Sequence, residues 1–125
     1  MKLTSFEDLE CWKLSREIVK KVYNLTSREG FRKDFGLRDQ IQRAGVSIMA
    51  NISEGFDSGT DKSFLIFLSY SYRSASEVQS LLYVALDLEY INKSSFEELY
   101  QNIKNVKGLL SGLKRYLTNS PKKIS

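Results

Sequence analysis

Apolar residues recur at steps of three and four along nearly the whole chain, and nowhere do they alternate with polar ones between turn residues. The cleanest stripe is Phe96, Leu99, Ile103, Val106, Leu110, Leu113 and Leu117. A second is Leu37, Ile41, Ala44, Ile48 and Ile52. The single proline, Pro121, falls after both, so nothing breaks these periods from within. The spacing predicts helices over about 6–28, 34–55, 61–90 and 95–118, then a frayed tail over 119–125. Thr4 with Glu7, and Ser95 with Glu98, have the spacing of capping boxes, and Asp34 suits an N-cap. Four helices of ~20 residues, each ~30 Å long and joined by short connections, form an antiparallel up-down-up-down bundle. The fold class is therefore all-α, and the 125 residues make one domain.

The third segment carries more apolar surface than one bundle face needs. Residues 64–68 and 81–86 are apolar almost all round the helix. The arc of the first segment, from Leu9 and Trp12 through Leu14, Ile18 and Val22, is also broad. Leu65, Ile66, Tyr72, Tyr83 and Val84 are therefore candidates for a subunit interface, since so large an exposed patch invites association. The competing reading is an ordinary amphipathic surface, with the tyrosine hydroxyls in water.

Beside the core stripe of the second segment runs a polar one: Gln40, Arg43, Ser47, Asn51 and Glu54. Pairing the second and third helices through the loop at 56–60 sets Gln40 opposite Glu77 and Arg43 opposite Ser74. A partly buried Arg43–Glu77 ion pair that fixes helix register is the structural expectation. A polar binding site on the bundle wall is the functional one.

Catalytic machinery is hard to assemble from this composition. Histidine is absent and Cys11 is the one cysteine, which excludes Ser–His and Cys–His chemistry, common zinc sites and an internal disulfide. Cys11 falls with the apolar arc, as a small core residue does. Glu54, Asp57 and Asp61 gather only at a loop, and Gly55 to Thr60 lacks the ending of a phosphate-binding loop. The chain reads as a non-enzyme without cofactor or metal. With no apolar leader and no run of ~20 apolar residues, it reads as cytoplasmic, away from membranes, with Cys11 reduced.

Charge is unevenly placed. The net +4 hides residues 1–10 at −2, residues 11–43 at +5, residues 44–103 at −5 and residues 104–125 at +6. The last stretch has six basic residues and no acidic one. First and fourth helices are neighbours in such a bundle, so Lys13, Arg16, Lys20 and Lys21 could share a side with Lys104, Lys107, Lys114 and Arg115. That is the footprint of a nucleic-acid backbone, or else a solvated lysine-rich surface balanced by acids on the far side.

The run from Phe35 to Gly55, FGLRDQIQRAGVSIMANISEG, with Leu9, Trp12, Val22-Tyr23, Ser63-Phe64, Phe67-Leu68, Ser74 to Glu77 and Leu81 to Tyr90, resembles a known family. These are the four-helix-bundle proteins first associated with 23S rRNA intervening sequences, often labelled ribosomal-protein-like. The resemblance covers about residues 6–117. It extends to the accessory variability determinant of diversity-generating retroelements, a basic pentamer that works with nucleic acid and a reverse transcriptase. It thus implies a homopentamer, with RNA or DNA and a protein such as a reverse transcriptase as partners, and no settled activity. One departure is Met49, where the family usually has a proline; a straighter second helix is expected. Two functions follow: an oligomeric, sequence-tolerant nucleic-acid-binding accessory protein, or a protein-interaction scaffold whose basic surface is incidental.

Overall fold

The computed structural model describes residues 3–119. Four helices carry that span: α1 (Glu10–Thr26), α2 (Phe35–Phe56), α3 (Asp61–Asp87) and α4 (Lys93–Asn119). No strand occurs among the described residues. Each helix packs on its neighbour in sequence, and α1 against α4 closes the ring. All four contacts are antiparallel. Thr26 meets Gln42 while Val22 lies beside Gly45; Gln40 meets Glu77 while Ser47 meets Ser74. Lys107 meets Gln79 while Lys114 meets Ser69, and Lys21 meets Asn102 while Arg28 meets Ser95. The chain is an all-α, up-down-up-down four-helix bundle.

The core follows the periods of the sequence. Along α3 the fully buried positions Phe64, Leu68, Ser71, Ala75, Val78, Leu82 and Ala85 step by four and three in strict alternation. This narrow seam is that of helices packed at shallow angles. Facing it are Ile41, Ile48 and Ile52 of α2, with Ile18 and Val22 of α1 and Leu99, Ile103, Val106 and Leu110 of α4. The buried hydroxyls all find backbone acceptors. Ser15 donates to Cys11 O, Thr26 to Val22 O and Ser71 across the seam to Ile48 O at 2.8 Å. Cys11 is itself buried, and desolvation pushes its thiol up to about 12, so it stays protonated as a packing residue.

Helix ends show where local rules decided. Asp34 caps α2 as expected, accepting from the Leu37 N–H at 3.1 Å. The opening differs from expectation: Phe6–Asp8 is a 3-10 turn, extended Leu9 interrupts, and α1 begins only at Glu10. The acceptor there is Asp8 rather than Glu7, taking the Thr4 and Ser5 N–H groups and the Thr4 hydroxyl. This turn carries Phe6 back onto Trp12, ring centroids 5.2 Å apart, and so covers part of the broad apolar arc of the first segment. At the start of α4 the cap is Asn92, accepting from Ser95 N–H at 2.8 Å, and the helix begins two residues earlier than expected. Glu98 makes no capping box; it pairs with Lys21 at 3.1 Å. Leaving α3, Glu89 takes a left-handed conformation (φ 60°), and the Tyr90 N–H bonds back to Ala85 O. That ends α3 at Asp87, three residues before the expected limit. Through Met49, α2 runs unbroken. Pro121 and the end of the expected tail lie outside the described residues, whereas Asn119 closes α4.

Candidate nucleic-acid interface

The polar stripe of α2 forms the seam with α3, though not through the pair expected. Glu77 accepts from Gln40 Nε2 at 3.1 Å; Arg43, three residues on and so about 60° round the helix, is exposed. There is no Arg43–Glu77 ion pair. Ser47 and Ser74 share a hydrogen bond of 2.8 Å, and Asn51 Nδ2 donates to Ser47 Oγ at 2.9 Å. Glu54 is exposed and stands apart from these contacts. Gln40, Ser47, Asn51 and Glu77 thus tie two helices together.

The apolar candidates on α3 divide between two directions. Tyr83 packs on α4, 4.9 Å from the Phe96 ring and 5.7 Å from that of Tyr100. Tyr72 lies under the Lys107 ammonium, 4.7 Å from its ring centroid, and Leu65 is half-buried against the core. Part of the surplus noted in the sequence is therefore spent inside the bundle. Ile66 and Val84 do face outward, 46% and 42% exposed, with Tyr70 and Leu88 also open; Tyr83, although it touches α4, is itself 49% exposed.

The basic residues separate more sharply. On α1, Lys13 pairs with Glu10 at 3.2 Å, and Arg16 lies over the Trp12 ring at 6.0 Å. Lys21 is shared between Glu98 and Asn102. Lys20 is exposed. The basic residues of α4 do not join them. Lys107 donates to Gln79 Oε1 at 2.8 Å and Lys114 to Ser69 Oγ at 2.8 Å, both on α3, so this row lies on the α3 flank of α4, away from α1. The side shared by the first and fourth helices is therefore corrected to the α3–α4 side, and α1 contributes none of its lysines to it.

This rearrangement matters for charge. The α1 cations Lys13 and Lys21 are matched to carboxylates. Lys107 and Lys114 are held instead by an amide oxygen and a hydroxyl, and neither pairs with a carboxylate among the described residues. Lys104 and Arg115 are exposed on the same helix. Held in place but not neutralised, these cations keep their field for an external anion. Of these four, Lys104 and Lys107 border a groove of about 420 Å³ between α3 and α4, with Tyr72 and Gln79 on one wall and Tyr100 beside the two lysines on the other. Gly108 also lines it, and a Cβ there would touch nothing within 4 Å. From the sequence, the signal for this groove was the pair Lys104 and Lys107 on one flank of the α4 stripe. The flank's neighbour was not readable.

Among curated proteins none matches the sequence. A solved structure, that of a protein of unknown function from the S23 ribosomal protein family of Bacteroides thetaiotaomicron, is similar with a TM-score of 0.78. The likeness covers 84% of this chain and 95% of that one at 24% identity, and it establishes the fold. The family model for the 23S rRNA-intervening sequence protein matches residues 7–112, from the opening turn to the last turns of α4, and the chain belongs to that family.

Proposed function

We propose that this chain is a non-enzymatic homo-oligomer that binds nucleic acid without sequence preference, as an accessory to a protein that processes or copies it. The observation that carries the reading is the row Lys104, Lys107, Lys114 and Arg115 on α4, none of which forms an ion pair with a carboxylate among the described residues. The family description names an intervening sequence of 23S rRNA, a nucleic-acid setting. The outward Ile66, Tyr70, Val84 and Leu88 support self-association, with five copies the number implied by the family resemblance. Repeating the basic row in each copy would add weak phosphate contacts by multivalency. A protein-interaction scaffold is the second reading, favoured by those same apolar side chains.

Fluorescence anisotropy with labelled RNA and DNA, on material whose mass is fixed by light scattering, tests the proposal. Binding is expected at ~50 mM salt and should fall steeply by ~200 mM, as counterion release requires. Lys104→Glu with Arg115→Glu should abolish it, whereas Lys13→Glu with Lys20→Glu should leave most of it. An oligomer that binds neither nucleic acid at low salt is a scaffold, and a monomer of 14.4 kDa removes the self-association.

A further inference from the structure

We infer that the α3–α4 groove is a site for single-stranded nucleic acid, in which one base stacks on Tyr100 while the flanking phosphates lie on Lys104 and Lys107. This rests on the nucleic-acid reading above and adds the strandedness and the place. Its first support is the ring arrangement. Phe96 stacks on Tyr100 with centroids 5.2 Å apart and planes 26° apart, so one face of Tyr100 is already covered and the ring is held. A base laid on the opposite face continues that stack by one more member. Tyr72, the other aromatic wall, has the Lys107 ammonium over its ring and serves to fix that cation.

The second support is charge beside the ring. Lys107 is pinned between the Tyr72 face and Gln79 Oε1, and Lys104 lies one turn along α4 from both Tyr100 and Lys107. Lys104 and Lys107 are separated by ~4.5 Å of helix rise. An aromatic face with adjacent cations that pair with no carboxylate among the described residues is the combination that takes a nucleotide base and its phosphate together. The third is space. About 420 Å³ lies within the range of ~300–1,000 Å³ that holds a small organic group, and Gly108 puts no side chain into it. A duplex cannot use this arrangement, because the faces of its bases are covered by their neighbours; it can reach only the lysines.

The test compares 12-nucleotide single strands of RNA and DNA with duplexes of the same length by anisotropy, using the intact chain, Tyr100→Leu and Gly108→Gln. The intact chain should prefer the single strand. Each variant should lose about 5- to 150-fold in single-strand affinity, the range for removing one stacked base, with duplex affinity unchanged. Gly108→Gln fills the groove from a position with open space around it and replaces a helical glycine, so it keeps its fold even if Tyr100→Leu does not. The pattern in either sugar supports the site, and the tighter sugar identifies the natural strand. Equal affinity for single strands and duplexes, or a preference that survives Gly108→Gln, overturns the groove and leaves electrostatic binding intact. No binding of any of the four overturns both readings.

Discussion

Asp8 ties the start of the opening turn together, beside the turn's own backbone bonds and the packing of Phe6. Backbone N–H groups of Thr4 and Ser5 point into its carboxylate and keep its pKa below the usual 3.8, the Thr4 amide contributing most. A depressed carboxylate stabilises fully above its unfolded value, and the contribution is lost as pH falls through the folded one. Trp12, the single tryptophan, reports on this directly because Phe6 rests on it only while the turn holds. Its fluorescence should change below pH 3.8 before the helical circular dichroism falls. Asp8→Ala should show the changed fluorescence already at neutral pH. A signal that stays flat until the helices melt would remove Asp8 from this role. The sequence pointed to Thr4 with Glu7 here, since both Glu7 and Asp8 lie within reach of the cap. Spacing alone could not distinguish an α-helical first turn from a tighter 3-10 one that moves the acceptor by one residue.

Between elements, α2 approaches α3 tightly at Gly55. A Cβ there would lie 2.6 Å from Phe67 Cβ and 2.9 Å from Phe64 Cδ1. One of these atoms is next to the backbone and cannot swing away, so Gly55→Ala should cost about 1–3 kcal/mol of overpacking in denaturant unfolding. A neutral or stabilising result would mean that the helices part easily at that end. Elements were the most legible scale. The stripes of α2 and α4 gave their buried faces, and Asp34 gave the start of α2, because those signals are local. Less readable were ends set by rarer devices: α3 stops through a non-glycine residue in the left-handed conformation, and Asn92 rather than Ser95 begins α4. The groove was half legible. An apolar stripe says which flank of α4 carries the lysines, but whether that flank meets α1 or α3 depends on the hand in which four helices turn about their axis. No spacing within one helix encodes that hand.

For the whole molecule, the two poles of the bundle are built differently. At one pole, Tyr90 donates to Asp34 Oδ2 at 2.9 Å while its ring stacks on fully buried Phe31 at 5.3 Å, and Arg28 reaches Ser95. The same Asp34 oxygen pair thus caps α2 and anchors the α3–α4 connection. At the opposite pole, the α2–α3 connection turns through Gly59, around which a Cβ would meet nothing within 4 Å. Breathing should therefore begin at one end and spread along the helices like a zip. Amide hydrogen exchange ought to be fastest near residues 57–62 and slowest near 34–41 and 82–91, in a gradient along the bundle axis. Tyr90→Phe should flatten that gradient by loosening the slow end, whereas exchange that is uniform in the unaltered chain would show that neither pole leads.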